Sequence, residues 1–352
     1  MRRFLVRLLM ATVTCSVGTV AATIREHFSS SANPRIAIPT QVRANPPVVY
    51  LPTPEDDGQK MPESLSPADI KFFINKHPGA DLTRIWQAVG INDNDAPDAV
   101  AECSSCKAET FFYDLDNEPG DEALLKVADP TRDAARFVVF KPIDLPDKWR
   151  VLGHADMWGK YIEPYHMILV SGGKTWLVIR GQAASGSGVA SYNEYIFQIT
   201  SGRLRRIIGY PAAGHQSGAS DTVTHEFTAR PLSCEVKDGR SVVELDLYVA
   251  YSAYDRESGS YMELFAKRQR ATLIKKLGSD YSFLDPNRSN LSQDEFESVY
   301  NVDSLDFVRY NFRELSEIAA GKSRRIKTWL GNYLKTCEPT GEVRKLQRML
   351  TE

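Results

Sequence analysis

The most restrictive feature of this sequence is a series of short segments rich in Val, Ile, Tyr, Phe and Trp between about residues 107 and 288. Glycine-containing separators such as SGGK, SGSG, TSGR and KDGR lie between these segments. They predict hairpins, because glycine supplies the positive φ that tight β-turns require. A spacing of roughly ten residues per strand leaves no room for crossover helices. The sequence therefore predicts an antiparallel meander and argues against a parallel Rossmann-type sheet.

Helical patterns flank this β-rich region, so the predicted fold class is α+β. Ser66 and Pro67 form a helix start, with an N-cap residue followed by proline at the first helical position. A sandwich, an open barrel or a strongly twisted sheet would satisfy the strand pattern, whereas a complete propeller needs more strands. The predicted organisation is a signal peptide (1–22), a proline-rich tether (23–65), a helical lead-in with a CxxC motif (66–106), an antiparallel β-domain (107–288) and a helical C-terminal region (289–352).

The N-terminus has the residue order of a signal peptide. Two arginines precede an uncharged stretch that starts at Leu8, and Val20 and Ala22 supply the small residues of a cleavage site before Thr23. The stretch is short and threonine-rich for a permanent transmembrane helix. We therefore expect export, to the periplasm or beyond the cell, with a membrane anchor formed by residues 1–24 as the alternative.

Export affects how the cysteines are interpreted, because thiols outside the cytosol tend to be oxidised. The simplest scheme for the cysteines that remain after cleavage pairs Cys103 with Cys106 and Cys234 with Cys337. In the loop-entropy model, a bridge that closes on the order of 100 residues adds about 4–5 kcal/mol. For the CxxC motif, half of a metal site and a redox centre are the alternatives. A redox dithiol usually opens a helix, and the KAETFFYDL segment that follows favours a strand and a local structural disulfide.

An acidic segment, FFYDLDNEPGDEALL at residues 111–125, is the clearest ligand-site pattern. Its carboxylates at alternating positions are Asp114, Asp116 and Glu118, with Glu122 four residues later. Calcium takes six to eight oxygen ligands, and a tight loop can direct several of them inward. The segment resembles the calcium loop of FG-GAP or VCBS repeats, D-x-D-G-D-G-x-x-D, although Asn117 and Glu118 depart from that pattern. The resemblance implies a calcium site, and a solvated acidic turn is the alternative.

A second candidate cluster contains histidines. His154 and Asp156 are two residues apart, which places them on one face of a strand, and His166 lies within hairpin reach. Histidine is the usual acid–base group or metal ligand near neutral pH. These three residues are therefore the candidate catalytic set of a secreted hydrolase.

The leading interpretation is an exported, non-catalytic binding or envelope-associated module with a protein or carbohydrate ligand. The formal net charge of −2 provides no field to attract nucleic acid or an anionic membrane. Two alternatives remain: the hydrolase, and an assembly partner that uses the basic C-terminal helices around GKSRRIKTWLGNYLK.

The signal-peptide interpretation predicts that the mature chain begins at Thr23, because the small residues at Val20 and Ala22 fit the recognition site of a signal peptidase. N-terminal sequencing of the protein from the compartment where it accumulates checks this expectation. Soluble cytosolic protein that begins with Met1 would contradict it.

Overall fold

The structure is a computed structural model that describes residues 65–91, 105–143, 148–168, 173, 175–186, 189–216, 223–255, 258–276, 282–299 and 304–352. The predicted signal peptide, nearly all of the predicted tether and Cys103 lie outside the described residues. The predicted α+β class is confirmed, because antiparallel strands form most of the structure and helices precede and follow them.

Seven helices and twelve strands lie in the described part of the chain. The helices are α1 (Pro67–Lys76), α2 (Thr83–Ala88), α3 (Gln293–Ser298), α4 (Ser304–Tyr310), α5 (Phe312–Ala320), α6 (Arg324–Leu334) and α7 (Gly341–Met349). The strands are β1 (Lys107–Tyr113), β2 (Glu122–Asp129), β3 (Ala134–Pro142), β4 (Trp149–Trp158), β5 (Lys160–Ile168), β6 (Thr175–Gly186), β7 (Val189–Thr200), β8 (Arg203–Gln216), β9 (Val223–Lys237), β10 (Arg240–Asp255), β11 (Ser260–Lys276) and β12 (Ser282–Leu284). None of these helices is long and apolar enough to cross a membrane.

The strands form two antiparallel meanders, a small sheet (β1–β4) and a large sheet (β5–β12), each with its strands in sequence order. The chain passes from one sheet to the other at Gly159, which has a φ of +117°. A Cβ at this position would lie 1.8 Å from the carbonyl oxygen of Gln182. Only glycine fits such a close approach, so this residue permits the change of sheet between β4 and β5.

The two central strands of the small sheet, β2 and β3, are buried on both faces. On one face, Val138 packs with Trp86 and the other apolar side chains of α1 and α2. On the opposite face, Phe137 and Val139 pack against Ile179 of the large sheet. A strand with two buried faces is apolar at consecutive positions, which explains the apolar run FVVF at residues 137–140 of β3.

The large sheet packs one face against the C-terminal helices. Alternate residues of β10, including Val243, Leu245 and Leu247, are fully buried and share a core with Phe307 and Leu330. The sheet is strongly curled, since the Ser282 hydroxyl on β12 donates to the Gly209 carbonyl on β8, 3.3 Å away, although three strands lie between β12 and β8 in sheet order.

The C-terminal helical periodicity predicts one helix from Asp303 to Ala320, and the structure divides this segment at Asn311. The Asn311 side chain is 2% exposed and its amide donates to the Phe307 carbonyl oxygen, 2.9 Å away. A side-chain amide that donates to a carbonyl of the preceding turn competes with the backbone hydrogen bonds of the helix. Asparagine therefore favours helix ends.

The predicted bridge between Cys234 and Cys337 is absent from the structure, where both cysteines are free. Cys234 is buried in the core of the large sheet, and burial raises the pKa of its thiol to about 12. The Cys337 thiol donates to the Tyr333 carbonyl oxygen in the last turn of α6, at 3.5 Å. Cys106 is disulfide-bonded. Its pairing with Cys103 stays a prediction, because Cys103 lies outside the described residues.

A buried histidine joins the large sheet to the C-terminal helices. His225 on β9 is 3% exposed, and its Nε2 donates to the Val299 carbonyl oxygen just after α3, at 2.6 Å. The rings of Phe227 and Tyr251 are its neighbours, at centroid distances of 6.4 and 6.0 Å. Burial, opposed only in part by the bond to Val299, lowers the pKa of His225 to about 4.

This histidine should make the fold sensitive to acid. The unfolded chain binds a proton at His225 near pH 6.5 whereas the folded chain does so only near pH 4, so the free energy of unfolding should fall as pH decreases through this interval. The expected loss is about 3 kcal/mol. His225→Gln retains an N–H donor without the titration, so urea unfolding of this variant should show a shallower pH dependence. Parallel curves for the two proteins would contradict the assignment.

Candidate functional site

Three carboxylates converge where β1 turns into β2. One oxygen from each of Asp114, Asp116 and Glu122 lies within 4.8 Å of the other two. Asp114 directly follows the last residue of β1, and Glu122 is the first residue of β2. The antiparallel pairing of the two strands closes the acidic loop (residues 114–121) and brings these side chains together.

Local hydrogen bonds orient the two aspartates. The Asp114 carboxylate accepts from the Asn117 backbone N–H at 2.8 Å, and the Asp116 carboxylate accepts from the Glu118 N–H at 2.9 Å. Asn117 has a φ of +60°, in the left-handed region that asparagine tolerates. These bonds fold the loop around its own acidic side chains.

Glu122 is the central member of the cluster and is fully buried. Its Oε2 accepts from the Leu115 backbone N–H at 2.7 Å, whereas its Oε1 makes no hydrogen bond with any residue that the structure describes. Burial raises the pKa of Glu122 to about 7, and the nearby charge of Asp116 acts in the same direction. A buried carboxylate with a free oxygen favours an environment that supplies positive charge.

Lys141 at the end of β3 supplies one such charge. Its ammonium bonds to Asp116 and Glu118, and it lies 3.7 Å from Glu122 Oε1. Burial disfavours the charged lysine, but the bonds to Asp116 and Glu118 outweigh this effect and raise the pKa of Lys141. Sequence analysis did not identify Lys141, because the pairing of β2 with β3 brings it to the cluster from a distant part of the chain. The only sequence signal is a lysine that directly follows the apolar run FVVF at residues 137–140.

Glu118, the fourth predicted ligand, is not a member of the triad that the structure brings together. Its side chain is 67% exposed and extends to Lys141 instead. The cluster thus contains four acidic groups and one ammonium, and it keeps an excess of negative charge. Carboxylate oxygens are the ligands preferred by hard cations such as calcium, so this donor set fits a divalent cation.

The two cluster members whose side chains the structure describes, His154 and Asp156, do not have the arrangement expected of an acid–base pair. His154 is exposed, and both Asp156 oxygens bond to the guanidinium of Arg136 instead, at 2.8 and 2.9 Å. Arg136 is 2% exposed, and its guanidinium lies 5.1 Å from the centre of the Trp86 ring. Asp156 is therefore the partner of a buried arginine. The side chain of His166 lies outside the described residues.

No protein-family model matches the chain, and no curated protein matches it either. The resemblance of residues 111–125 to FG-GAP or VCBS calcium loops therefore depends on those residues alone and stays a prediction.

The structural role of Asp156 predicts a large loss of stability on its removal. Asp156→Ala leaves the Arg136 charge buried without its carboxylate, and the free energy of unfolding should decrease by about 3–5 kcal/mol in urea titrations. Glu317→Ala is the control because it breaks an ion pair with Arg313 whose side chains are 67% and 85% exposed. This change should stay within about 1 kcal/mol. Equal effects of the two substitutions would contradict the assignment.

Proposed function

We propose that this chain is an exported, non-catalytic binding module whose β1–β2 hairpin binds a divalent cation, with calcium the expected ion. One observation carries the cation assignment: Asp114 and Asp116 converge on a fully buried Glu122, one oxygen of which has no hydrogen bond from the described residues. Export is supported by the signal-peptide order of residues 1–22.

The donor set favours calcium over magnesium. Calcium accepts an irregular shell of six to eight oxygens, and it tolerates ligands from a loop that also bonds to its own backbone. Magnesium demands a near-ideal octahedron and retains several waters. Calcium sites of extracellular modules commonly have dissociation constants of about 10⁻⁴–10⁻³ M, which suits a protein exposed to external calcium.

Lys141 competes with a cation for the same oxygens. Its ammonium occupies one side of the cluster and bonds to Asp116, a member of the triad. Ion binding must displace this ammonium from Asp116, and that cost weakens the affinity. The lysine also stabilises the cation-free hairpin, because it offsets repulsion among the carboxylates. Calcium and Lys141 are thus alternative sources of the same positive charge.

The solvent-exposed face of the large sheet provides a surface for a protein or carbohydrate ligand. Tyr254 on β10 and Tyr261 on β11 form a cross-strand aromatic pair with a centroid distance of 5.4 Å. They are 44% and 58% exposed, and Tyr248 on β10 is 40% exposed. Tyrosine combines an apolar ring with a hydroxyl and is common at binding surfaces.

Calcium should raise the melting temperature of the mature protein. A hundredfold excess over the dissociation constant adds about 2.7 kcal/mol, so the measurement needs millimolar calcium against a chelator. Asp116→Ala should abolish the increase, because it removes a ligand. Lys141→Met should lower the melting temperature in chelator and enlarge the increase in calcium, because it removes the competing ammonium.

Asp121→Ala provides the matched control. Asp121 belongs to the same acidic loop and is exposed, but it lies outside the triad. This variant should keep the full calcium-dependent increase. Identical melting of the unmodified protein in chelator and in millimolar calcium would show that the loop is a solvated acidic turn.

A further inference from the structure

A groove with a volume of about 460 Å³ lies where the small sheet meets the large sheet. It is formed by three segments that are distant in sequence: residues 89–91 just after α2, residues 150–154 of β4, and residues 201–203 at the β7–β8 turn and the start of β8. The acidic loop is not part of its lining, so the groove is independent of the proposed cation site.

The lining of the groove is basic. Arg150, His154 and Arg203 are exposed there, and no acidic residue is among the described residues that line it. In the part of the chain that the structure describes, neither arginine forms an ion pair. Arg150 and Arg203 thus line one concavity to which the described residues contribute no carboxylate.

Backbone geometry brings these groups together. Gly153 on β4 has a φ of +153°, and a Cβ at this position would lie 3.0 Å from Leu204 on β8, so the two strands approach closely here. On the β7–β8 turn, Gly202 has a φ of +67°, and the Arg150 Nη2 lies 3.5 Å from the position of a Cβ at this residue. The side chain of Arg150 therefore reaches across to the turn that Arg203 follows.

We propose that this groove binds a phosphate group. Arginine presents a planar fork of N–H donors that matches the oxygens of phosphate, and two such forks with an imidazole N–H can surround one dianion. The volume lies within the range of small-molecule sites, so a phosphate monoester of sugar size fits better than inorganic phosphate alone. A comparable arginine group on the outer face of β9–β11 is less suited, because Asp246 lies between Arg230 and Arg270.

Calorimetric titration of the mature protein in calcium-free buffer of low ionic strength tests this site with two probes, inorganic phosphate and glucose 6-phosphate. Both should bind, the ester more tightly. Arg150→Gln and Arg203→Gln should each weaken binding by about tenfold, the loss expected for a charge-assisted hydrogen bond.

Arg240→Gln is the matched control. Arg240 follows Asp238 and Gly239 in the β9–β10 hairpin, just as Arg203 follows Ser201 and Gly202, and both turns have positive φ at these two residues. This variant removes one positive charge from an equivalent turn and should leave the affinity unchanged. Failure of both probes to bind would overturn the proposal. An equal loss in Arg240→Gln would also overturn it, because the attraction would then be a property of the whole surface.

Discussion

Burial of β2 and β3, the central strands of the small sheet, on both faces is the constraint on which the rest of the structure depends. The N-terminal helices cover one face and the large sheet covers the other, so β2 and β3 have almost no solvent-facing positions. Any charged residue in these strands needs a partner within the protein, because an unpaired buried charge is strongly unfavourable. Arg136 on β3 meets this requirement through Asp156 and the face of Trp86. A buried charge in the large sheet also has partners within the protein: Glu194 bonds to Arg180 and Tyr210 on the adjacent strands.

The candidate cation site follows from this constraint. Glu122 is the first residue of β2, and its carboxylate is therefore buried with the strand while the preceding acidic loop remains at the surface. The charge on Glu122 is unfavourable in the absence of a cation, as its raised pKa indicates. Lys141 satisfies part of this requirement from the neighbouring strand. A divalent cation would satisfy more of it, and this is the physical basis of the proposed link between calcium and stability.

The sequence predicts the parts of this fold that depend on local chemistry. Glycine turns and alternating apolar residues predict the hairpins, and the Ser66-Pro67 pair predicts the start of α1, which the Ser66 side chain caps. The acidic pattern identifies the residues of the triad, because they are close in sequence. Contacts between residues that are far apart in the sequence cannot be predicted in this way. The division into two sheets depends on a close contact between Gly159 and Gln182, and the partners of Asp156 and Glu122 come from β3. His154 and Asp156 lie on the same predicted strand. The pairing of β3 with β4, however, places Asp156 opposite Arg136, which binds its carboxylate.

The central claim is that the buried carboxylate of Glu122 makes the β1–β2 hairpin a cation site. Equilibrium dialysis of the mature protein against millimolar calcium at neutral pH tests it directly, with Glu122→Gln as the comparison. Glutamine keeps an oxygen to accept from the Leu115 N–H and removes the charge, so the variant should remain folded. We predict one bound calcium ion per chain for the unmodified protein and none for Glu122→Gln. Equal calcium binding by the two proteins, or no binding by either, would contradict this account.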